Sequence, residues 1–283
     1  MQIKYINCDM CQSVEREVNS LEFRIQKIIL KHQNNAVQEL IKTTKEKVKG
    51  IKFNPADSSG KTREKKEAFL KALSGILIEE ICYRILEKHN KNDRIKILKD
   101  DSKTSVNQID LKIIKNWEKD NKNFTKEFTI EVRSSFPFKK IESIVCNEFD
   151  ILGPYINNVK HGENIRDYYL RFLFSLEYQE HNFCRYGENN SKINYSKTTI
   201  NTLLNDYFDD DFNLKKDLTV YFVGGATKEM MLDESISYIG NMQSETFNED
   251  KAGLYKKIKI KNALDSISIL RLILSVVDNN SNK

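Results

Sequence analysis

A mixed α/β fold, with a central mixed β-sheet flanked by helices, is the class this sequence predicts. Segments whose apolar residues recur every third or fourth position are interleaved with shorter segments that alternate apolar and polar residues, along the whole chain. With 283 residues, 39% hydrophobic and 31% charged, there is material for one large core or two modest ones. No internal repeat or low-complexity tract breaks the pattern.

The first 50 residues read as helical: Val14, Val18, Leu21, Ile25, Ile28 and Ile29 keep helical spacing, and no Pro or Gly intervenes before Gly50. After the polar loop NPADSSGKT, a second helix runs from about Thr62 to Lys88, with Thr62 as its N-cap. Three strand-like segments follow, Arg94 to Leu98, Asn107 to Ile114 and Lys126 to Phe136. Helical spacing returns from Asn164 to Glu180 through Ile165, Tyr169, Phe172, Leu173 and Leu176. Leu218 to Val223 reads as a strand and VGGATK as a strand-to-helix turn. Thr227 to Ser237 reads as a helix, Tyr255 to Ile260 as an alternating strand and Ala263 to Val277 as a final helix. These elements divide into an N-terminal helical region and basic linker over 1–61 and a core over 62–283.

Composition narrows the function classes. The start, MQIKYINCDMC, lacks the apolar stretch of a signal peptide, and the longest apolar run, SISILRLILSVV, is short and interrupted by Arg271. Neither export nor membrane spanning is expected. Five scattered cysteines describe no disulfide framework, so a reducing cytoplasm is the expected location. The net charge is +5, and between Ile41 and Ala72 ten Lys and Arg face only four acids, so the surplus is local. Such a zone attracts polyanions, although a solvated Lys-rich helix face has the same composition.

Several motifs fail on their own chemistry. SSGKT resembles the end of a phosphate-binding loop, but that loop needs Gly where Pro55 stands and an apolar strand before it. Cys8 and Cys11 form a CxxC with no second pair nearby, too few ligands for structural zinc. His32, His89, His161 and His181 have no ligand spacing and read as surface or capping residues. No nucleophile-elbow GxSxG is present.

The carboxylates on strands remain. In FTIEVRSSF, Phe128, Ile130 and Val132 share one face, and Thr129, Glu131 and Arg133 share the other. In QIDLKII, Asp110 and Lys112 lie opposite Ile109, Leu111 and Ile113. If these strands pair, Asp110, Lys112, Glu131 and Arg133 gather on one side of a sheet. A structural Asp/Lys and Glu/Arg network would account for them; so would oxygen ligands for Mg²⁺ beside a cation for phosphate. On the second helix, Ala68, Ala72, Gly75, Glu79, Cys82 and Leu86 form one narrow stripe whose small residues suit close packing, with Glu79 pointing into the contact. Glu80 falls elsewhere, beside Arg84 and Glu87, and reads as solvated. A third inward acid favours a metal site.

Gly75-Ile-Leu-Ile-Glu79 on a helix, Ile-Asp110 on a strand and Ile-Glu131-Val-Arg133 on the next resemble the PD-(D/E)xK nuclease superfamily, to which many restriction endonucleases belong. The resemblance spans Leu70 to Phe138, about a quarter of the chain. It implies a restriction-endonuclease-like core within 62–283, with Asp110 as the motif's aspartate, Glu131 its second acid, Arg133 in the place of its lysine and Glu79 the helix acid of many members. It implies Mg²⁺, with Mn²⁺ able to substitute, held by Asp110 and Glu131 for DNA hydrolysis. No proline precedes Asp110, and Arg replaces Lys. Arginine stays protonated and cannot act as a base, but it neutralises charge on a phosphate, and Lys112 on the same face is placed to take part of the lysine's role. A competing register takes Asp110 and Lys112 as the motif's last two residues with Asp100 or Asp101 upstream, which leaves Glu131 unexplained.

DNA-recognition insertions are expected at about 155–215, where Tyr, Phe, Asn, Lys and Arg mix. Asn157, Asn158, Lys160, Arg185 and Tyr186, with Lys61, Arg63, Lys65 and Lys66 from the basic zone, are the candidate contacts to bases and phosphates of double-stranded DNA. The resemblance further implies a homodimer and a cognate DNA methyltransferase encoded nearby. Two other readings fit the same residues: a binding module of this fold without catalysis, and a structural or interaction protein.

Overall fold

The computed structural model describes residues 1–8, 23–50, 65–99, 109–135, 150–156, 164–175, 205–241 and 254–276. In chain order the elements are β1 (Gln2–Cys8), β2 (Phe23–Leu30), α1 (Asn35–Lys49), α2 (Lys65–His89), β3 (Ile95–Lys99), β4 (Leu111–Lys119), β5 (Lys122–Ser135), β6 (Asp150–Tyr155), β7 (Tyr168–Ser175), β8 (Leu218–Thr227), α3 (Lys228–Leu232), β9 (Ser237–Asn241), β10 (Leu254–Lys259), β11 (Leu264–Asp265) and α4 (Ser266–Ile273). The main sheet runs β1-β2-β8-β7-β5-β4-β3 with β11 beside β8, and a small sheet runs β6-β10-β9. The β5–β7 pair is parallel and the other pairs are antiparallel, so the central sheet is mixed.

Two apolar layers sandwich the main sheet. On one face, α1, α2 and α4 bury Val37, Leu40, Leu73, Leu77, Ile81 and Ile269 against Ile28, Ile113, Ile130, Phe172 and Val220. On the other, the small sheet and α3 bury Ile151, Ile258 and Met231 against Ile25, Tyr169, Leu173 and Tyr221. Asn34 caps α1 by accepting from the Ala36 and Val37 amides, and α1 turns Val37, Leu40, Ile41, Thr44 and Val48 inward. The β4–β5 hairpin closes through Asp120 and Asn121, both at positive φ (52° and 58°), as a two-residue hairpin turn requires.

The helical reading of the first 50 residues is corrected. Ile25, Ile28 and Ile29 lie on β2, not on a helix, and among the described residues of this stretch helix begins at Asn35; Val14, Val18 and Leu21 lie outside the described residues. β2 pairs with β1 and β8, so residues 1–61 contribute two strands to the main sheet. With neighbours on both edges and apolar layers on both faces, β2 buries β-branched residues on each side, which mimics a three-and-four periodicity. The same correction applies to Asn164–Glu180: Tyr168–Ser175 is β7, buried at every position and central in the sheet, so this part of 155–215 is core and not an insertion upon it. VGGATK is no turn either, because β8 continues to Thr227. Gly224 and Gly225 are needed there, since a Cβ would sit 2.1 Å from the Leu264 carbonyl oxygen and 2.4 Å from that of Tyr169, and Gly224 has φ +151°. The helix expected over Thr227–Ser237 is only α3, followed by β9, and the final helix is α4. Among the described residues no helix is long and apolar enough to cross a membrane.

Candidate active site

At Ile130 the neighbours of β5 change. β4 pairs with β5 up to Ile130, opposite Leu111, whereas β7 pairs with β5 from Ile130 onward. Each edge of β5 is therefore left by one strand at this point, and an aspartate takes over on each side. Asp110, just before β4, accepts a hydrogen bond from the Val132 amide at 2.7 Å. Asp167, just before β7, accepts from the Thr129 amide at 2.7 Å and its hydroxyl at 2.8 Å. Sequence reading did not single out Asp167, whose role depends on a pairing between distant segments.

The divergence of β4 from β5 is what collects the acids. Phe128, Ile130 and Val132 face the helical layer, so Glu131 and Arg133 face the small sheet, as the alternation predicts. Glu131 Oε1 lies 3.0 Å from Arg133 Nη2, and Oε2 lies 3.6 Å from Nε of Arg166. Arg166 is buried and was not anticipated. Glu79 comes from α2, which packs on β5. Burial, then the charge of Glu131, pushes the Glu79 carboxyl up to about 7. Burial and the charges of Glu131 and Glu79 push Asp110 well above the usual carboxylate range, against the opposing Val132 amide and Arg133. Buried Cys82, one turn from Glu79, has its thiol pushed up by burial and by Asp110 and Glu79. Acids from three elements thus meet here: Glu131 on β5 raises the proton affinity of Glu79 on α2 and of Asp110 before β4.

Other expectations change. Lys112 Nζ pairs with Glu127 at 3.1 Å, which turns it along the strand away from Glu131 and from the lysine role. Glu80 is not solvated: it is 4% exposed and lies between Lys47 at 2.7 Å and Lys99 at 2.6 Å. Burial opposes its ionisation, but hydrogen bonds from Lys47 and Lys99 hold its carboxyl below the usual range. Gly75 does not serve close packing, because among the described residues a Cβ there would meet nothing within 4 Å; that space opens one turn before Glu79. His32 pairs with Asp217 at 2.8 Å, and His89 ends α2. Of the candidate DNA contacts, Lys65 and Lys66 open α2, whereas Lys61, Arg63, Asn157, Asn158, Lys160, Arg185 and Tyr186 lie outside the described residues, as do Cys11, His161, His181, Asp100 and Asp101.

The donor set suits Mg²⁺ in kind: oxygen ligands, in mutual repulsion that a divalent cation would relieve. Among the described residues no three His, Cys, Asp or Glu side chains stand at metal-ligating spacing, and the Glu131 oxygens face Arg133 and Arg166.

No family model matches this chain, and no solved structure matches it. It is 29% identical over 192 residues to a curated protein of Methanocaldococcus jannaschii described as uncharacterized protein MJECS01, a match covering 60% of this chain and 60% of that protein. The chain thus matches less than two thirds of the relative's length.

Proposed function

We propose that the chain is a Mg²⁺-dependent endonuclease that hydrolyses phosphodiester bonds in double-stranded DNA, of restriction type. One observation carries the reading: at the divergence of β4 from β5, burial and the Glu131 charge raise the proton affinity of both Glu79 and Asp110, and the Glu79 charge raises that of Asp110 further, beside Arg133. Without a ligand that arrangement costs stability, so it calls for a reason outside packing. Asp110 and Glu131 would hold the ion, with Glu79 behind them. When bound, Mg²⁺ lowers the pKa of a water and screens the phosphate. The Val132 amide fixes Asp110, and Arg133, permanently protonated, neutralises charge that develops on the scissile group.

Plasmid DNA incubated with and without Mg²⁺ tests this. Cleavage is expected only with the ion and is lost in Asp110→Ala and Glu131→Ala; retained cleavage in both variants would remove the site assignment. A second reading has a specific observation in its favour. Both oxygens of Glu131 already face guanidinium groups, which suits a DNA-binding module that does not cut. Salt-dependent duplex binding without cleavage of methylated DNA, unmethylated DNA or RNA would select it.

A further inference from the structure

Between the main sheet at β5 and β7 and the small sheet stand Arg133, Arg166, Arg171 and Lys257, and among the described residues the acids paired with them are Glu131 and Asp150. Asp150 is taken: Lys257 Nζ lies 2.6 Å from Oδ2, and the Tyr238 hydroxyl donates to Oδ1 at 2.5 Å. Glu131 is taken by Arg133 and Arg166. Arg171 is left with a neutral partner. It is 5% exposed, its Nη2 donates to the Ser135 hydroxyl at 2.8 Å, and its Nε and Nη1, both buried, meet no hydrogen-bond acceptor among the described residues. Arg133 and Arg171 are direct partners in the parallel ladder, so the two guanidinium side chains leave adjacent strands on one face, two residues from Glu131. Tyr255 from β10 stands over Arg133, with the ring centroid 5.9 Å away.

A buried cation with idle donors, as Arg171 is, is costly to keep, and the Arg133 charge on the adjacent strand adds repulsion. Burial, together with the Arg133 charge and against the pull of Asp150, lowers the Arg171 pKa to about 10, which still leaves it charged at neutral pH. The occupant that resolves both costs is a tetrahedral oxyanion, because guanidinium donors match phosphate oxygens in geometry and charge. We propose that Arg171, Arg133 and the Ser135 hydroxyl form a phosphate seat beside the acid cluster, with Arg171 as a second anchoring guanidinium. That the phosphate belongs to the DNA backbone rests on the nuclease reading; that the seat takes a phosphate does not.

The test uses the full-length chain and inorganic phosphate, compared with chloride at equal ionic strength, followed by thermal unfolding. Phosphate is expected to raise the wild-type melting temperature, and Arg171→Met to lose that response. No wild-type response, or an equal one in Arg171→Met, overturns the seat. Should Arg171→Met not fold, Ser135→Ala stands in, with phosphate affinity expected to fall about tenfold as a charge-assisted contact is lost; unchanged affinity overturns the seat. Binding of a short duplex in Ca²⁺ then separates the two ideas. Arg171→Met is expected to weaken it about tenfold and to lower the slope of log affinity against log salt by about one. An Arg171-dependent phosphate response without any duplex binding keeps the seat and removes DNA as its occupant. Duplex cleavage that depends on Asp110, with phosphate stabilising wild type and Arg171→Met alike, keeps the nuclease and removes the seat.

Discussion

Glu79 and Glu80 are consecutive residues of α2, yet they belong to regions that treat buried charge in opposite ways. Glu80, with Lys47 from α1 and Lys99 from β3, forms a closed set in which two cations saturate one carboxylate. Glu79, with Asp110 and Glu131, forms a set in which the Glu131 charge and burial disfavour ionisation of the other two acids. The 100° step of a helix is enough to send neighbours into different surroundings. Burial by itself therefore says little about role; what distinguishes the two regions is whether the cations outnumber the acids, as Lys47 and Lys99 do around Glu80, or are outnumbered, as Arg133 and Arg166 are by Glu79, Asp110 and Glu131.

Substitutions should separate the regions on that basis. The largest expected effect is on activity: Asp110→Asn should lower the cleavage rate by roughly 100- to 1,000-fold, because it removes an electrostatic element of the reacting centre. The same change should leave the melting temperature equal or higher, as a strained charge is lost. A kinetic assay of linear DNA with parallel thermal unfolding checks both, and a large drop in stability would show that the charge of Asp110 serves the fold, since an asparagine oxygen still accepts from the Val132 amide.

Next is a pH effect at Glu79. Its folded-state pKa of about 7 lies above the ordinary value of 4.5, so the folded chain holds the proton longer than the unfolded one, and stability falls as pH rises from about 4.5 to about 7. Glu79→Gln keeps the neutral shape and should abolish that fall. The stabilisation is expected to be near zero at pH 4.5 and to reach as much as about 3 kcal/mol at pH 8, from 1.36 kcal/mol for each pKa unit. Denaturant titrations at the two pH values measure it. Equal effects at both would mean that the charge of Glu79 is compensated by groups such as Lys47.

Glu80→Gln is the counterpart on the closed side and should act with opposite sign. Its folded pKa is depressed, so the stability it contributes is present above the unfolded value near 4.5 and is lost as pH falls through the folded value. The expected cost at pH 7 is about 1 to 2 kcal/mol, modest because Lys47 and Lys99 are partly exposed and can regain water. Cleavage should change little. A loss of activity without a loss of stability would instead place Glu80 in the reacting centre.

How much of this was legible depended on how many neighbours each segment has. β5 keeps its alternation because its faces differ, so the sequence places Glu131 and Arg133 on one side; Asp110, expected on the paired strand, instead lies just before β4 and reaches β5 through the Val132 amide. β2 and β7 are central strands with apolar residues on both faces; FRIQKIIL and YYLRFLFS lose the period of two and imitate helices. Glu80 was misread because its counter-ions, Lys47 and Lys99, come from α1 and β3, and no helical wheel of α2 contains them. Arg166, Asp167 and Arg171 were missed for the same reason: each acquires its role from a partner on β5, through the one parallel pairing of the main sheet.

The smallest expected effect sits beside Glu79. The small-residue stripe gives Gly75 the role of letting α2 approach the sheet, but among the described residues no atom beyond its own helix turn lies within 4 Å of where its Cβ would be. In a helix interior glycine costs roughly 0.5 to 1 kcal/mol relative to alanine, so Gly75→Ala should stabilise the chain by about that amount with no steric penalty. A site that needed close packing would show the reverse sign. If the open space one turn from Glu79 is where substrate reaches the acids, the added methyl should also raise KM for DNA while leaving kcat unchanged, because it touches access and not the reacting groups. Stabilisation with unaltered KM would instead place the approach to Asp110 and Glu131 on the side of the small sheet, past Arg133 and Tyr255.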